Sequence, residues 1–269
     1  MNIEAFQSYF EKLKIKPGEL SLQLVEEIQK KHLENFSFNN IAVLLKQPVS
    51  LEIEDIIEKI VIKDLGGYCF EHNKLLHDVL QLLGFNVRIL IARVINNQDI
   101  DTPRTHRITL LEWQDNKYLV DVGFGVSCPN TPLKINAIDD GSQKYRIIQN
   151  KDNDYRLEVL TPKGYFSLYT FNLATYTQSD CIMGNFYSSN YPNAVFVNNL
   201  VIALQRQDIT LSLRNSTYHR IDEESTEMID ITDHMQLHAI INDDFNIPIT
   251  EEQSHALFTI TKELLGNSK

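Results

Sequence analysis

Apolar positions in the first third of the chain recur at helical spacing. From Ser21 to Asn35, Leu22, Val25, Ile28 and Leu33 share one side of the turn with charged residues between them, which predicts an amphipathic helix. Leu51, Ile53, Ile56, Ile57, Ile60 and Val61 form a second stripe, which Asp64-Leu65-Gly66-Gly67 ends. A third helix is predicted from Cys69, burying Leu76, Val79, Leu80 and Leu83, with Gly84 where a C-terminal cap belongs. Beyond Asn86 the pattern shortens and becomes β-branched. Val87 to Val94 reads as a strand, and His106 to Trp113 and Lys117 to Val122 read as a hairpin around Gln114-Asp115-Asn116. Tyr145 to Gln149, Tyr155 to Leu160, Tyr165 to Tyr169, Phe196 to Leu204 and Ile209 to Leu213 predict further strands, and Glu251 to Leu265 a terminal helix. The expected class is α+β, with helices over 1–84 and an antiparallel sheet or barrel after them.

Charge narrows the function. With 25 basic against 36 acidic residues, a formal net charge of -11, the chain lacks the basic stripe that nucleic acid demands. An anionic ligand stays open, because a few backbone N–H groups and one or two cations suffice to hold a phosphate. The first residues show no secretory signal, and no apolar run approaches the ~18 to 20 residues that span a bilayer, so a cytoplasmic protein with no membrane partner is expected. Cys69, Cys128 and Cys181 are odd in number and widely spaced, which predicts free thiols. Cys69-x-x-His72 and His234-x-x-x-His238 each supply two metal ligands without a third, so no metal is expected.

Three short motifs carry candidate chemistry. Gly66-Gly67-Tyr68-Cys69 places a thiol after a flexible turn and at a helix N-terminus, where free N–H groups favour a thiolate or an oxyanion. A buried structural cysteine is the alternative at that position. His106 shares a strand face with Ile108 and Leu110, and reads either as a base or as a core histidine. Asp121 lies in an apolar run and needs a polar partner if buried, with His106 the natural one. A two-residue turn at Asp115-Asn116 would pair His106 with Gly125 and leave Asp121 about 13 Å down the strand at ~3.3 Å per residue, so contact requires a bulge or another register.

Gly66-Gly67-Tyr68-Cys69-Phe70-Glu71-His72-Asn73, then Gly84-Phe85-Asn86-Val87, Ala92-Arg93-Val94, Thr105-His106 and Leu119-Val120-Asp121-Val122-Gly123-Phe124-Gly125 together resemble the arylamine N-acetyltransferase family. The resemblance runs in order from about Ile3 to Ala203, includes Asn185-Phe186-Tyr187-Ser188-Ser189, and continues weakly beyond. It implies a helical bundle over 1–84 carrying the nucleophile, a central antiparallel β-barrel over 85–195 carrying His and Asp, and a C-terminal α/β lid over 196–269, around a cysteine-protease-like catalytic core. It implies Cys69 as nucleophile, His106 as base and Asp121 as orienter, acetyl-CoA as acyl donor, and an aromatic amine, hydrazine or hydroxylamine as acceptor in a ping-pong reaction. It places Phe38, Val94, Phe124 and Phe196 around the acceptor, with core packing equally open for the phenylalanines, and Gly125, Ser189 and Asn190 near the coenzyme.

Three departures stand out. Leu65 and Asn39 occupy positions where the family usually has Arg and Glu, and Ala194 one where it commonly has a hydroxyl. Loss of both halves of an ion pair predicts repacking without loss of the fold. Loss of the hydroxyl leaves donor preference open. An amide synthase, a peptidase or transglutaminase-like enzyme and a non-catalytic aromatic-ligand binder remain competing readings, separated by acyl donor, by acceptor and by the reactivity of Cys69.

Overall fold

The computed structural model describes residues 6–266 apart from 99, 139, 140, 142 and 151–153. Ile3, where the resemblance begins, lies outside them. Helices α1 (Gln7–Leu13), α2 (Leu22–Asn35), α3 (Ile41–Leu44), α4 (Ile53–Ile56, continued as a π-helix over Ile57–Ile62) and α5 (Cys69–Leu83) lie in the first part of the chain. Ser21 caps α2 through its hydroxyl, and Gly84 ends α5 at φ 100°, a left-handed angle that glycine adopts without penalty. Among these helices sits a two-residue strand, β1 (Phe38–Asn39).

The barrel strands are β2 (Asn86–Val94), β3 (Arg104–Trp113), β4 (Asn116–Val120), β5 (Leu133–Lys134), β6 (Tyr145–Gln149), β7 (Tyr155–Thr161) and β8 (Gly164–Phe171). They form one antiparallel sheet in the order β5-β4-β3-β2-β8-β7-β6, curled so that its two edges approach each other. Then come α6 (Gln178–Asn190), α7 (Val195–Asn198), β9 (Val201–Gln205), β10 (Thr210–Arg214), β11 (Thr217–Ile221), β12 (Thr226–Asp230), α8 (His234–Ala239) and α9 (Glu251–Gly266). The second sheet runs β1-β9-β10-β11-β12, so Phe38 pairs with Ala203 and Asn39 with Ile202. The strand expected from Phe196 begins instead at Val201, because Val195–Asn198 closes a helical turn behind Ala194.

Alternation on β3 divides two cores. Ile108 and Leu110 face the barrel interior with Leu90, Leu157 and Phe171, whereas Leu111 meets the helical bundle with Val79 and Leu80. A third core gathers Ile41 and Leu44 with the second sheet, Phe245 and Leu257.

A chain of hydrogen bonds crosses the bundle. Tyr9 OH lies 3.0 Å from His32 Nδ1, His32 Nε2 lies 2.8 Å from His72 Nδ1, and His72 Nε2 lies 3.2 Å from the Ser37 carbonyl. The carbonyl can only accept, so His72 carries its hydrogen on Nε2 and accepts on Nδ1. His32 therefore donates from Nε2, and Tyr9 donates to His32 Nδ1. One arrangement of protons satisfies every contact, and it requires both imidazoles to be neutral. Burial holds His32 well below the ordinary histidine value, with His72 adding to the effect, and burial brings His72 down to about 4.

Because the folded values lie below the unfolded value of 6.5, the unfolded chain takes up protons first as pH falls. The stabilisation is complete above pH 6.5 and is lost as pH falls towards 4. Urea unfolding at pH 7, 5 and 4 should show His72 alone contributing about 3 kcal/mol of this loss. His72→Gln should be less stable at pH 7 yet lose less on acidification, and equal slopes for the two proteins would refute the assignment.

Candidate active site

α5 starts at Cys69 because Tyr68 is extended and Glu71 closes the first turn, accepting the Tyr68 backbone N–H at 3.0 Å. The other Glu71 oxygen meets Lys59 Nζ at 2.6 Å, so a cation from the π-helix neutralises a carboxylate that is only 2% exposed. Cys69 is itself 2% exposed. Gly123 makes this seat possible, since a side chain there would collide with Cys69 Cα and with Asn73.

The strand carrying His106 is irregular beside the thiol. On β3, Ala92 pairs with His106 but Arg93 pairs with Arg104, which leaves Thr105 as a bulge. The Thr105 carbonyl accepts from Cys69 Sγ at 3.5 Å. The hairpin also differs from the expected one. Trp113 pairs with Asn116, so the turn is Gln114-Asp115, both left-handed at φ 46° and 61°, which is a type I′ geometry. This register brings Asp121 two residues nearer to His106 than a turn at Asp115-Asn116 would. The chain then leaves the sheet after Val120, and the carboxylate turns inward.

Asp121 is fully buried and accepts four hydrogen bonds. Oδ2 takes His106 Nε2 at 2.7 Å and Tyr169 OH at 2.9 Å, and Oδ1 takes Asn73 Nδ2 at 2.9 Å and the Gly123 N–H at 2.8 Å. Burial alone would raise its pKa. The charge and hydrogen bond of His106, with Asn73 and Gly123, outweigh that and hold it below the ordinary carboxylate value. With Nε2 directed at Asp121, Nδ1 is the imidazole nitrogen left to exchange a proton.

Burial pushes the Cys69 thiol up, and the Asp121 charge adds to it, while the backbone N–H groups of Arg107 and Phe70 oppose it. An isolated thiolate is therefore unfavourable here. A cation beside it restores the balance, which is what a protonated imidazole supplies.

Asn73 and Tyr169 were not singled out from the sequence. Asn73 stands one helical turn after Cys69, and its amide also donates to the Arg107 carbonyl at 2.6 Å and accepts the Val122 N–H at 3.0 Å. That i, i+4 spacing from the cysteine was the available signal. Gln29 supports the same loop from α2, donating to the carbonyls of Asp121 and Pro129.

The predicted pocket residues divide. Phe38 and Phe196 lie 5.9 Å apart by ring centroids and join Tyr68 in the cluster around Cys69. Phe124 packs edge-on against His106 and Tyr169, each at 5.0 Å. Val94, opposite Tyr169 at the end of β2, does not join the Cys69 cluster. Gly125, at φ 65°, starts a short turn against Phe38 and Ala203. The Ser189 hydroxyl donates to the Asn185 carbonyl, Asn190 is exposed and donates to Ser189, and Ala194 is buried. A cleft of about 680 Å³ between α1 and the end of α5, floored by Phe10, Ile15, Leu82 and Leu83, shares no residue with this site.

Among the described residues no group of three or more His, Cys, Asp and Glu is arranged to hold a metal, and no helix is long and apolar enough to cross a membrane.

A sequence profile for N-acetyltransferase matches residues 21–254. The arylamine N-acetyltransferase of Escherichia coli is 32% identical over 241 residues, which covers 86% of this chain and 84% of that protein. Among solved structures, the arylamine N-acetyltransferase from Salmonella typhimurium aligns with a TM-score of 0.88 at 29% identity, over 95% of this chain and 98% of its own. The Mycobacterium marinum arylamine N-acetyltransferase in complex with CoA aligns with a TM-score of 0.88 at 26% identity, over 96% and 98%.

Cys69 is the thiol expected to alkylate at neutral pH. With iodoacetamide at pH 7, intact-mass measurement should find one adduct, at Cys69, with Cys128 and Cys181 unmodified. His106→Ala should slow it by about 10² or more, the scale of a lost general base. An unchanged rate would mean that the imidazole does not activate the thiol.

Proposed function

The chain belongs to the arylamine N-acetyltransferase family, and from that membership together with the site geometry we propose that it transfers an acetyl group from acetyl-CoA to an aromatic amine, hydrazine or hydroxylamine through an acetyl-cysteine. The observation that carries the reading is the 2.7 Å contact between His106 and a fully hydrogen-bonded Asp121, one residue from the carbonyl that holds Cys69 Sγ.

In the first half-reaction His106 Nδ1 takes the Cys69 proton, and the thiolate attacks the thioester carbonyl carbon. The oxyanion that forms is held by backbone N–H groups at the start of α5. The carbon–sulfur bond to the coenzyme breaks, and CoA leaves as a thiol with the proton returned by His106. In the second half-reaction the acceptor nitrogen attacks the acetyl-cysteine carbonyl, its proton passes to His106, and Cys69 leaves as thiolate and is reprotonated. Asp121 stays ionised throughout and stabilises the imidazolium, as the orienting carboxylate does in related triads.

The near-complete burial of Cys69 suits this division of labour. A thioester intermediate kept from bulk water is spared hydrolysis and waits for an amine. Phe38, Tyr68 and Phe196 present an aromatic wall beside it, which favours a flat acceptor over an aliphatic one.

Mixing the protein with acetyl-CoA should add one acetyl group by intact mass, absent in Cys69→Ala, and an arylamine should remove it with formation of the amide. Asp121→Asn should retain the fold and lose about 10²- to 10⁴-fold in turnover. An acetylated wild-type protein that no aromatic amine, hydrazine or hydroxylamine discharges would refute the assigned acceptor class. Absence of any adduct would refute the donor.

A further inference from the structure

Asn40 is 2% exposed and uses its whole amide. Nδ2 donates to the Phe196 carbonyl and to the Asn199 carbonyl, both at 2.7 Å, and Oδ1 accepts the Val201 N–H at 2.8 Å. These three bonds bracket α7, from its second residue to the first residue of β9. The helix has little else to fix it. It is four residues long, and none of its residues is buried. Its own ties are short-range: the Asn198 amide donates to the Pro192 and Ala194 carbonyls, and the Asn199 amide donates to Val195, while beyond the helix Asn199 Oδ1 accepts from Asn215 Nδ2 at 3.1 Å. Asn40 itself is held rigidly, because it follows β1, where the Asn39 backbone N–H donates to the Gly67 carbonyl at 2.6 Å, immediately before the Cys69 helix.

The ring carried by this bracketed segment is Phe196, at 5.5 Å from Tyr68 and 5.9 Å from Phe38. Asn40 therefore sets how far that ring stands from the start of α5, although its own side chain faces only backbone. We propose that Asn40 is a specificity-determining positioning residue, which limits acceptor size by fixing Phe196 against Tyr68. The proposal rests on the arylamine reading of the site, and it adds that selectivity is set from behind the aromatic wall. Loosening the bracket widens the acceptor side and leaves acyl transfer to Cys69 unaltered, since Asn40 touches none of Cys69, His106 or Asp121.

The test uses Asn40→Asp, which keeps the acceptor for Val201 and the volume but loses both donated bonds, and Asn40→Ser as a second variant. The ratio of kcat/KM for a two-ring over a one-ring arylamine should rise about tenfold, while the rate of CoA release in the acetylation step changes less than about twofold, in keeping with one or two neutral hydrogen bonds lost. In a Phe196→Ala background the Asn40 substitution should change that ratio no further, because a residue that acts through another is non-additive with it. Equal loss for both amines, an acetylation step that falls in parallel, or additivity with Phe196→Ala would overturn the proposal and leave Asn40 a structural residue. Calorimetric binding of the two arylamines to Cys69→Ala, with and without Asn40→Asp, reads the same discrimination without turnover. It therefore separates failure of this proposal from failure of the transferase reading: unchanged relative affinities overturn the former even in an inactive protein.

Discussion

A carboxylate that has lost all of its water governs this structure. An ionised Asp121 in the interior is tolerable only because four donors replace its hydration, and they come from four places: α5 through Asn73, β3 through His106, β8 through Tyr169, and its own loop through Gly123. Removing one donor leaves the charge under-solvated, at a cost of about 1 to 3 kcal/mol. Satisfying all four requires bundle, barrel and loop to be in register together. The same interaction that completes the site thus fastens the helices to the sheet, and the position of the imidazole follows from the fold with no freedom of its own.

The second buried polar system works from the other side of α5. His72 sits three residues after Cys69, and its ring donates to the Ser37 carbonyl, which the Gly67 N–H also reaches at 3.3 Å. The Gly66-Gly67 turn, the strand carrying Phe38 and the helix that Cys69 begins are therefore pinned at one oxygen. Asn73, the next residue in the same turn of that helix, bonds Asp121. A helix fixed in its first turn by buried bonds from two adjacent residues on different sides keeps its first residue, Cys69, in place.

Much of this was legible in the chain, and what was hidden was hidden for physical reasons. α2 and α5 announce themselves because their buried residues are large and periodic, and α9 through Leu257 with the partly buried Phe258, Ile260 and Leu264. α6 does not, because its inward face is Cys181, Gly184 and Ser188 while Ile182, Met183 and Phe186 point outward. Gly184 is small because a side chain there would strike Phe70, so close packing erased the very pattern that betrays a helix. β11 and β12 are mostly polar and lie at the far edge of their sheet, so alternation is weak. The pairing of His106 with Asp121 depends on which two residues make a turn and on a bulge at Thr105, and neither leaves a mark in hydrophobic periodicity.

The departures at Leu65 and Asn39 show how an ion pair can be dispensed with. Asn39 is 3% exposed, donates to the Leu65 carbonyl at 2.9 Å and accepts the Ile41 N–H at 3.1 Å, so its amide finds backbone partners on both sides. No charge is buried there and no partner is stranded, which is the condition under which exchanging a buried pair for neutral groups is tolerated. The charge compensation that the first turn of α5 still needs, for Glu71, arrives from Lys59. Glu71 opposes ionisation of the neighbouring Cys69 thiol, and Lys59 pairs with that carboxylate at 2.6 Å from outside the sulfur's own helix. The turn before the cysteine thus keeps its shape with neutral groups where the family usually has charged ones, and the cation that neutralises Glu71 comes from the π-helix.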